Sequence, residues 1–263
     1  MPRAGVLGSP IAHSLSPALH RAAYSALGLT GWTYDAIECT EQELAGLLAG
    51  IDPDWVGLSL TMPLKRAVLA LVDTVSDLAR DVGAANTVVF SGARADRASH
   101  ADNTDVGGMV DVLLGADVSV PVIMGSGGSA AAALAALRES GAAQASVVVR
   151  DVGRAADLLA AAGRLDIRVT LRPWPEISPS ATVVISTVPA WAAVGAVEPI
   201  LHDDLTVFDV RYHPRPSPLL QAAAGAGART ITGFDLLLHQ AARQVELMTG
   251  RPAPIAAMKA VLP

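Results

Sequence analysis

Short apolar runs alternate with helix-period segments along nearly the whole chain, and this alternation limits the fold more than any other feature. "AGVLG" (residues 4–8) predicts a buried strand, and "PALHRAAYSALGL", opening at Pro17, a helix. "WTYDAIE", "WVGLSL" and "AANTVVF" predict further strands, with "EQELAGLLAG" and "PLKRAVLALV" as helices between them. The rhythm restarts after residue 103. "DVGGMVDVLLGA" predicts a helix, "VPVIMG" a strand feeding "SGGSAAAALAALRESG", and "ASVVVR" a strand before "GRAADLLAAAG". "ATVVIST", "TVFDV" and "ARTIT" follow as strands, and "FDLLLHQAARQVELMTG" and "IAAMKAVL" close the chain as helices. A β-α-β order of this kind predicts mostly parallel sheets with helices on their faces.

At 263 residues the chain has room for two such domains. The expected boundaries are residues 1–104 for the first, with 236–263 packing back onto it, and 105–235 for a Rossmann-like second. Aromatic residues are only 4%, the net charge is -6 and no Lys/Arg cluster occurs, which argues against a nucleic-acid partner. Mean hydropathy is high at +0.41, yet Gly, Pro, Asp or Arg break each apolar stretch short of the ~20 residues a membrane span needs. The opening "MPRAGVLGSP" lacks the long apolar region of a secretion signal. Cys39 is the single cysteine and reads as a small buried filler in a reducing, cytoplasmic protein.

"VPVIMGSGGSAAAALAAL" carries the clearest mechanical motif. A strand ends at Met124, then Gly125, Ser126, Gly127, Gly128 and Ser129 lead into a helix. Glycines allow a sharp turn and a close backbone approach to a phosphate, and the helix start offers free N–H groups to the anion. The spacing is G-x-G-G, not the G-x-G-x-x-G fingerprint, so a plain β-α turn is the competing reading. Roughly 20 residues further on, where such folds read the adenosine ribose, stand Arg150 and Arg154. A guanidinium suits the extra phosphate of NADP and an acid would suit NAD, so NADP is favoured. Asp151 follows Arg150 directly and could pair with it or repel a phosphate.

The stretch "GSPIAHSLSPALH" puts two hydroxyls, Ser14 and Ser16, before a helix. Either could cap the helix from Pro17; the other would remain for an anion such as a carboxylate. "LSLTMPLK", "GAANTV" and "ADNTDVGG" each carry a polar residue expected at or past a strand end: Thr61, Lys65, Asn86, Asp105. Parallel α/β folds bind ligands beyond the carboxyl ends of their strands. A Lys beside an Asp can exchange a proton with an alcohol. His13, His20 and His239 read as packing or surface residues, and Trp174 and Trp191 are assigned no role.

With these motifs in hand, the sequence resembles the shikimate dehydrogenase family along nearly its whole length. "GSPIAHSLSPALH" is similar to the family's G-x-P-I-x-H-S-x-S-P-x-x-H, and "LTMPLK" to its V-T-x-P-x-K. "GAANT", "DNTD", "GSGGSA", "YHPRPSPLL" and "TGFDLLLHQAARQVELMTG" match its later motifs. The resemblance implies two α/β domains and NADP-dependent, reversible reduction of 3-dehydroshikimate to shikimate in aromatic amino-acid (chorismate) biosynthesis, without a metal. It implies Lys65 as acid/base with Asp105 as partner, and Ser14 and Ser16 on the substrate carboxylate. Thr61, Asn86, Asp105, Tyr212 and Gln240 would hold the rest of the substrate. Gly125, Ser126, Gly127, Gly128, Ser129, Arg150, Arg154, Thr187, Val188, Pro189 and Gly233 would hold the cofactor.

Four departures stand out. Ser59 replaces a usual Asn, so a shorter side chain is expected at the ring hydroxyls. The family's N-R-T-x-x-R reads Val149-Arg150-Asp151-Val152-Gly153-Arg154, which keeps only the arginines. Its N-A-T-S-x-G reads "ISTVPA" through Thr187, Val188 and Pro189, and Val106 replaces a common Gly. The alternatives are a quinate or aminoshikimate dehydrogenase using NAD, and a dinucleotide-binding paralogue without turnover. The expected assembly is a monomer or homodimer.

Overall fold

The computed structural model describes residues 1–92 and 97–263 and divides into two compact units. The first unit is Met1–Asp105 with Leu237–Pro263, and the second is Val106–Leu236. Asp105 falls in the first unit, where its carboxylate is bonded.

In the first unit the strands are β1 (Arg3–Gly8), β2 (Thr33–Glu38), β3 (Trp55–Leu60), β4 (Thr74–Val75), β5 (Thr87–Ser91) and β6 (Ala98–Asp102). Among them lie α1 (Ser16–Ala26), α2 (Glu41–Ala49), α3 (Leu64–Ala67) and α4 (Asp77–Val82). The sheet order is β2-β1-β3-β5-β6-β4. Strand β1 pairs parallel with β2 and β3, and β4 with β6, while β5 runs antiparallel to both β3 and β6. Reversal of β5 brings its first residues beside the last residues of β3, with Ser59 opposite Thr87. One face of the sheet packs Leu7, Leu44, Leu58, Leu64 and Val88 into a core. The C-terminal segment belongs to this unit: Leu238, Ala241, Ala242 and Val245 pack against Leu19, Ala23 and Met258.

Helix α5 (Thr104–Leu113) starts at the unit boundary. The second unit then holds β7 (Pro121–Met124), α6 (Gly128–Glu139), β8 (Gln144–Val149), α7 (Ala156–Arg164) and β9 (Arg168–Pro173). It continues with β10 (Val183–Ser186), α8 (Ala190–Val197), β11 (Thr206–Asp209), α9 (Pro218–Gly225) and β12 (Arg229–Ile231). Helices α10 (Gly233–Thr249) and α11 (Ile255–Lys259) follow. The sheet order β12-β11-β10-β7-β8-β9 is parallel throughout. This is the doubly-wound order 6-5-4-1-2-3, whose direction reverses between β7 and β10. Strands β7 and β10 are buried along their length, which is why they read as unbroken apolar runs. Residues 130–137 of α6 are buried on every side; its alanines let the helix lie close to the sheet behind the glycine loop. Among the described residues no helix is long and apolar enough to cross a membrane.

Candidate active site

Two clusters of functional groups emerge, one in each unit. In the first, the close approach of β1 to the turn after β3 sets the frame. A Cβ at Gly8 would sit 2.3 Å from Thr61 Cγ2, so only glycine admits Thr61 there. The Thr61 N–H donates to the Leu7 carbonyl (2.9 Å), and its own carbonyl accepts from the Leu64 N–H (2.9 Å). That turn opens α3 and carries Lys65 on it. Lys65 Nζ donates to Asp105 Oδ2 at 2.6 Å, with the two side chains only 22% and 11% exposed. An ion pair this sheltered is little screened by solvent.

Asn86 ties the pair to the sheet. Its Nδ2 donates to Asp105 Oδ1 (2.9 Å) and lies 3.3 Å from Gln240 Oε1. Its Oδ1 accepts from the Thr104 N–H (2.7 Å) and the Thr87 hydroxyl (2.9 Å), which leaves the amide one orientation. The Gln240 amide in turn donates to the Leu237 carbonyl at 3.0 Å. Lys65, Asp105, Asn86 and Gln240 therefore form one cluster, as the motifs implied. One expectation needs correction: Asn86 precedes β5 instead of ending a strand, and it reaches the cluster because β5 runs antiparallel.

The two opening serines also differ from expectation. Helix α1 begins at Ser16, with Leu15 at the N-cap already in helical backbone and no side chain capping it. Neither hydroxyl therefore serves as the N-cap. Ser14 Oγ instead accepts the Ser16 N–H at 3.3 Å, and Ser16 is buried. Ser59, the departure from the family's Asn, is consumed by protein: it accepts from the Tyr34 phenol (2.6 Å) and donates to Gln244 Oε1 (2.7 Å). Cys39 is buried, and burial raises its thiol above the usual range, as suits a filler.

In the second unit, the ends of β7, β8 and β10 and the start of α8 line a cleft of about 460 Å³. Gly125, Ser126, Arg150, Arg154, Val188 and Pro189 all lie on it. Gly125 has φ +107°, and a Cβ there would lie 2.4 Å from Thr187 Oγ1, itself held by donation to the Met124 carbonyl (2.7 Å). Gly127 is the N-cap of α6 and Gly128 and Ser129 start it; no side chain caps this end, so its N–H groups can meet an anion. Asp151 turns to its own loop. Its Oδ1 accepts from the Gly153 N–H (2.9 Å), and its Oδ2 lies 3.8 Å from Arg154 Nε. The acid thus answers Arg154, and the exposed Arg150 carries the positive tip of β8.

Tyr212 belongs to this unit, with its ring 5.5 Å from that of Phe234, and burial raises its phenol. Gly233 lies against the backbone of Val210 and Arg211, where a Cβ would be 2.7 Å from both. Sequence reasoning missed Trp174 and Trp191, which line the same cleft as the arginines, Trp191 being 71% exposed. An exposed indole at a cleft mouth is the available signal. It also missed Tyr34 and Gln244, whose partners lie far away in the chain, while His20, read as a packing or surface residue, is buried against both.

Comparison with known proteins bears on both clusters. A family model described as the shikimate dehydrogenase substrate binding domain matches residues 6–88, and one described as the shikimate 5'-dehydrogenase C-terminal domain matches 233–262. The shikimate dehydrogenase (NADP(+)) of Halobacterium salinarum is 39% identical, over 98% of this chain and 97% of its own. A shikimate 5-dehydrogenase from Mycobacterium fortuitum superposes with a TM-score of 0.90 at 43% identity, covering 100% of this chain and 98% of its own. That of Thermus thermophilus, solved with NADP(H) and shikimate, gives 0.85 at 30% identity, covering 99% and 98%.

Proposed function

The chain belongs to the shikimate dehydrogenase family, and from that premise we propose that it interconverts 3-dehydroshikimate and shikimate with NADP as the redox partner. The observation that carries this reading is the sheltered Lys65–Asp105 pair fastened by Asn86. In the oxidative direction the neutral amine of Lys65 takes the proton of the reacting hydroxyl and becomes the ammonium; in reduction the ammonium returns one to the forming alkoxide. Asp105 keeps the ammonium aimed and balances its charge. Asn86 and Gln240, with Thr61 and Tyr212, hold the ring hydroxyls, and Ser14 and Ser16 hold the carboxylate.

The second-unit cleft fits a dinucleotide, since its glycine turn leaves no room for a Cβ and its helix start is uncapped. NADP, when bound, supplies the hydride acceptor and donor. Residues Gly125 to Ser129 meet the pyrophosphate, and Arg150 and Arg154 the ribose phosphate. Thr187, Val188, Pro189 and Gly233 border the nicotinamide. The setting is the reducing cytoplasm, where Cys39 stays a thiol.

The test offers shikimate or quinate with NADP or NAD to the purified protein and follows reduced nicotinamide. Turnover with shikimate and NADP, at least tenfold above every other pairing, is the expected result. A preference for quinate or NAD would move the enzyme to the NAD-using quinate dehydrogenase alternative, and silence in all four would favour a binding paralogue. A charge-assisted contact to phosphate contributes about 1.5–3 kcal/mol. Arg150→Ala should accordingly raise the KM for NADP by roughly 10- to 100-fold and that for NAD by no more than a few-fold. Equal changes for both cofactors would remove Arg150 from phosphate recognition.

A further inference from the structure

Two files of neutral side chains meet at Gln244. The Tyr34 phenol donates to Ser59 Oγ (2.6 Å), and the Ser59 hydroxyl donates to Gln244 Oε1 (2.7 Å). From the other side His20 Nε2 reaches the same oxygen at 3.3 Å, its ring stacked on Tyr34 with centroids 3.9 Å apart. His20 Nε2 must carry the proton in this contact, because an amide oxygen only accepts. Gln244 Nε2 then donates to the Asn86 carbonyl (3.2 Å) and to Thr87 Oγ1 (3.0 Å). A backbone carbonyl also only accepts, so the amide cannot be flipped. The Thr87 hydroxyl donates to Asn86 Oδ1, and Asn86 donates to Asp105, which holds Lys65. Tyr34, Ser59, Gln244, Asn86 and Thr87 are all buried. Each donor points the same way, toward the one carboxylate at the end.

We propose that Gln244 is a positioning residue of the reaction: it converts the Tyr34–Ser59 and His20 contacts into a fixed orientation of Asn86, and so sets the Lys65–Asp105 pair. The short side chain at Ser59 is part of this device. A longer carboxamide there would fall on the phenol and amide now 2.6 and 2.7 Å from its oxygen. Positions 34, 59 and 244 thus act as one unit, and the departure at Ser59 is matched by its partners.

This inference rests on the functional reading above, and the experiment separates the two. Wild-type turnover of shikimate with NADP is measured first; its absence counts against the functional reading and takes the inference with it. Gln244→Met keeps the length of the side chain and removes both its donor and its acceptor. The expected result is a kcat lowered ~10- to 100-fold with the KM for NADP within about twofold of wild type, because misplacement of reacting groups falls on the chemical step. A merely structural role would lower the melting temperature and leave kcat of the folded variant alone. A kcat within twofold of wild type would overturn the proposal. Should Gln244→Met fail to fold, Ser59→Ala and Tyr34→Phe carry the test, each expected to lower kcat roughly 3- to 10-fold by the same split. Unchanged kcat in both would overturn it equally.

Discussion

Lys65→Ala is expected to lower kcat for shikimate oxidation by about a thousandfold while the KM for shikimate moves no more than a few-fold. General acid–base groups contribute about 10²–10⁴ in rate, and this one has no understudy within its cluster. The groups around it are Asp105, Asn86 and Gln240: the two amides take no proton, and the Asp105 carboxylate stays tethered to Asn86 through Oδ1. The loss falls on kcat because proton transfer is made only in the transition state. Steady-state rates with saturating NADP decide it: a variant that keeps turnover within tenfold of wild type would remove Lys65 from the acid/base role.

Mild acid should destabilise the protein through His20. The imidazole is buried and stacked on Tyr34, and burial holds its pKa down at about 3 against an ordinary 6.5. The sign follows from linkage. Between pH 6.5 and about 3 the unfolded chain binds a proton that the folded chain refuses, so stability is intact above 6.5 and is lost as pH falls toward 3. One pH unit is worth about 1.4 kcal/mol, giving a loss on the order of 5 kcal/mol across the window. Carboxylates with lowered values, Glu43, Asp73 and Asp117, act at lower pH, while buried Asp209, raised by burial, contributes with the opposite sign, so the difference between wild type and a His20 variant isolates the histidine. Urea unfolding at a series of pH values from neutral down through the upper part of that window should show a slope in wild type that His20→Phe flattens. Parallel slopes in the two proteins would refute the assignment.

The parts of this site that are legible in the sequence are those written locally. Lys65 and Asp105 lie in short motifs at helix starts, and the glycine turn follows an unbroken apolar strand. Strand direction is not local. The sequence places Asn86 past a strand end, and only the antiparallel run of β5 shows that a strand start can occupy the same edge. Strands β6 and β9 escape notice because they lack apolar runs: β9 is half-exposed and rich in arginine at the sheet edge. The Gln244 hub is illegible for another reason. Its partners Ser59 and His20 are 185 and 224 residues away, and a glutamine on an amphipathic helix carries no mark of burial.

The glycine at 125 bears on which gene variants this enzyme can carry. Strands β7 and β10 are hydrogen-bonded neighbours, so the spacing between Gly125 and Thr187 is set by the sheet and cannot relax. Any base change that replaces this glycine delivers a side chain that has both a Cβ and a poor tolerance for φ +107°. Neutral replacement at this position is therefore closed. Codon 187 is constrained in turn, since a bulkier neighbour would occupy the gap that glycine keeps open. Surveys of natural variation should find these two positions changing together or not at all, while Trp191, exposed at the same cleft, remains free to wander.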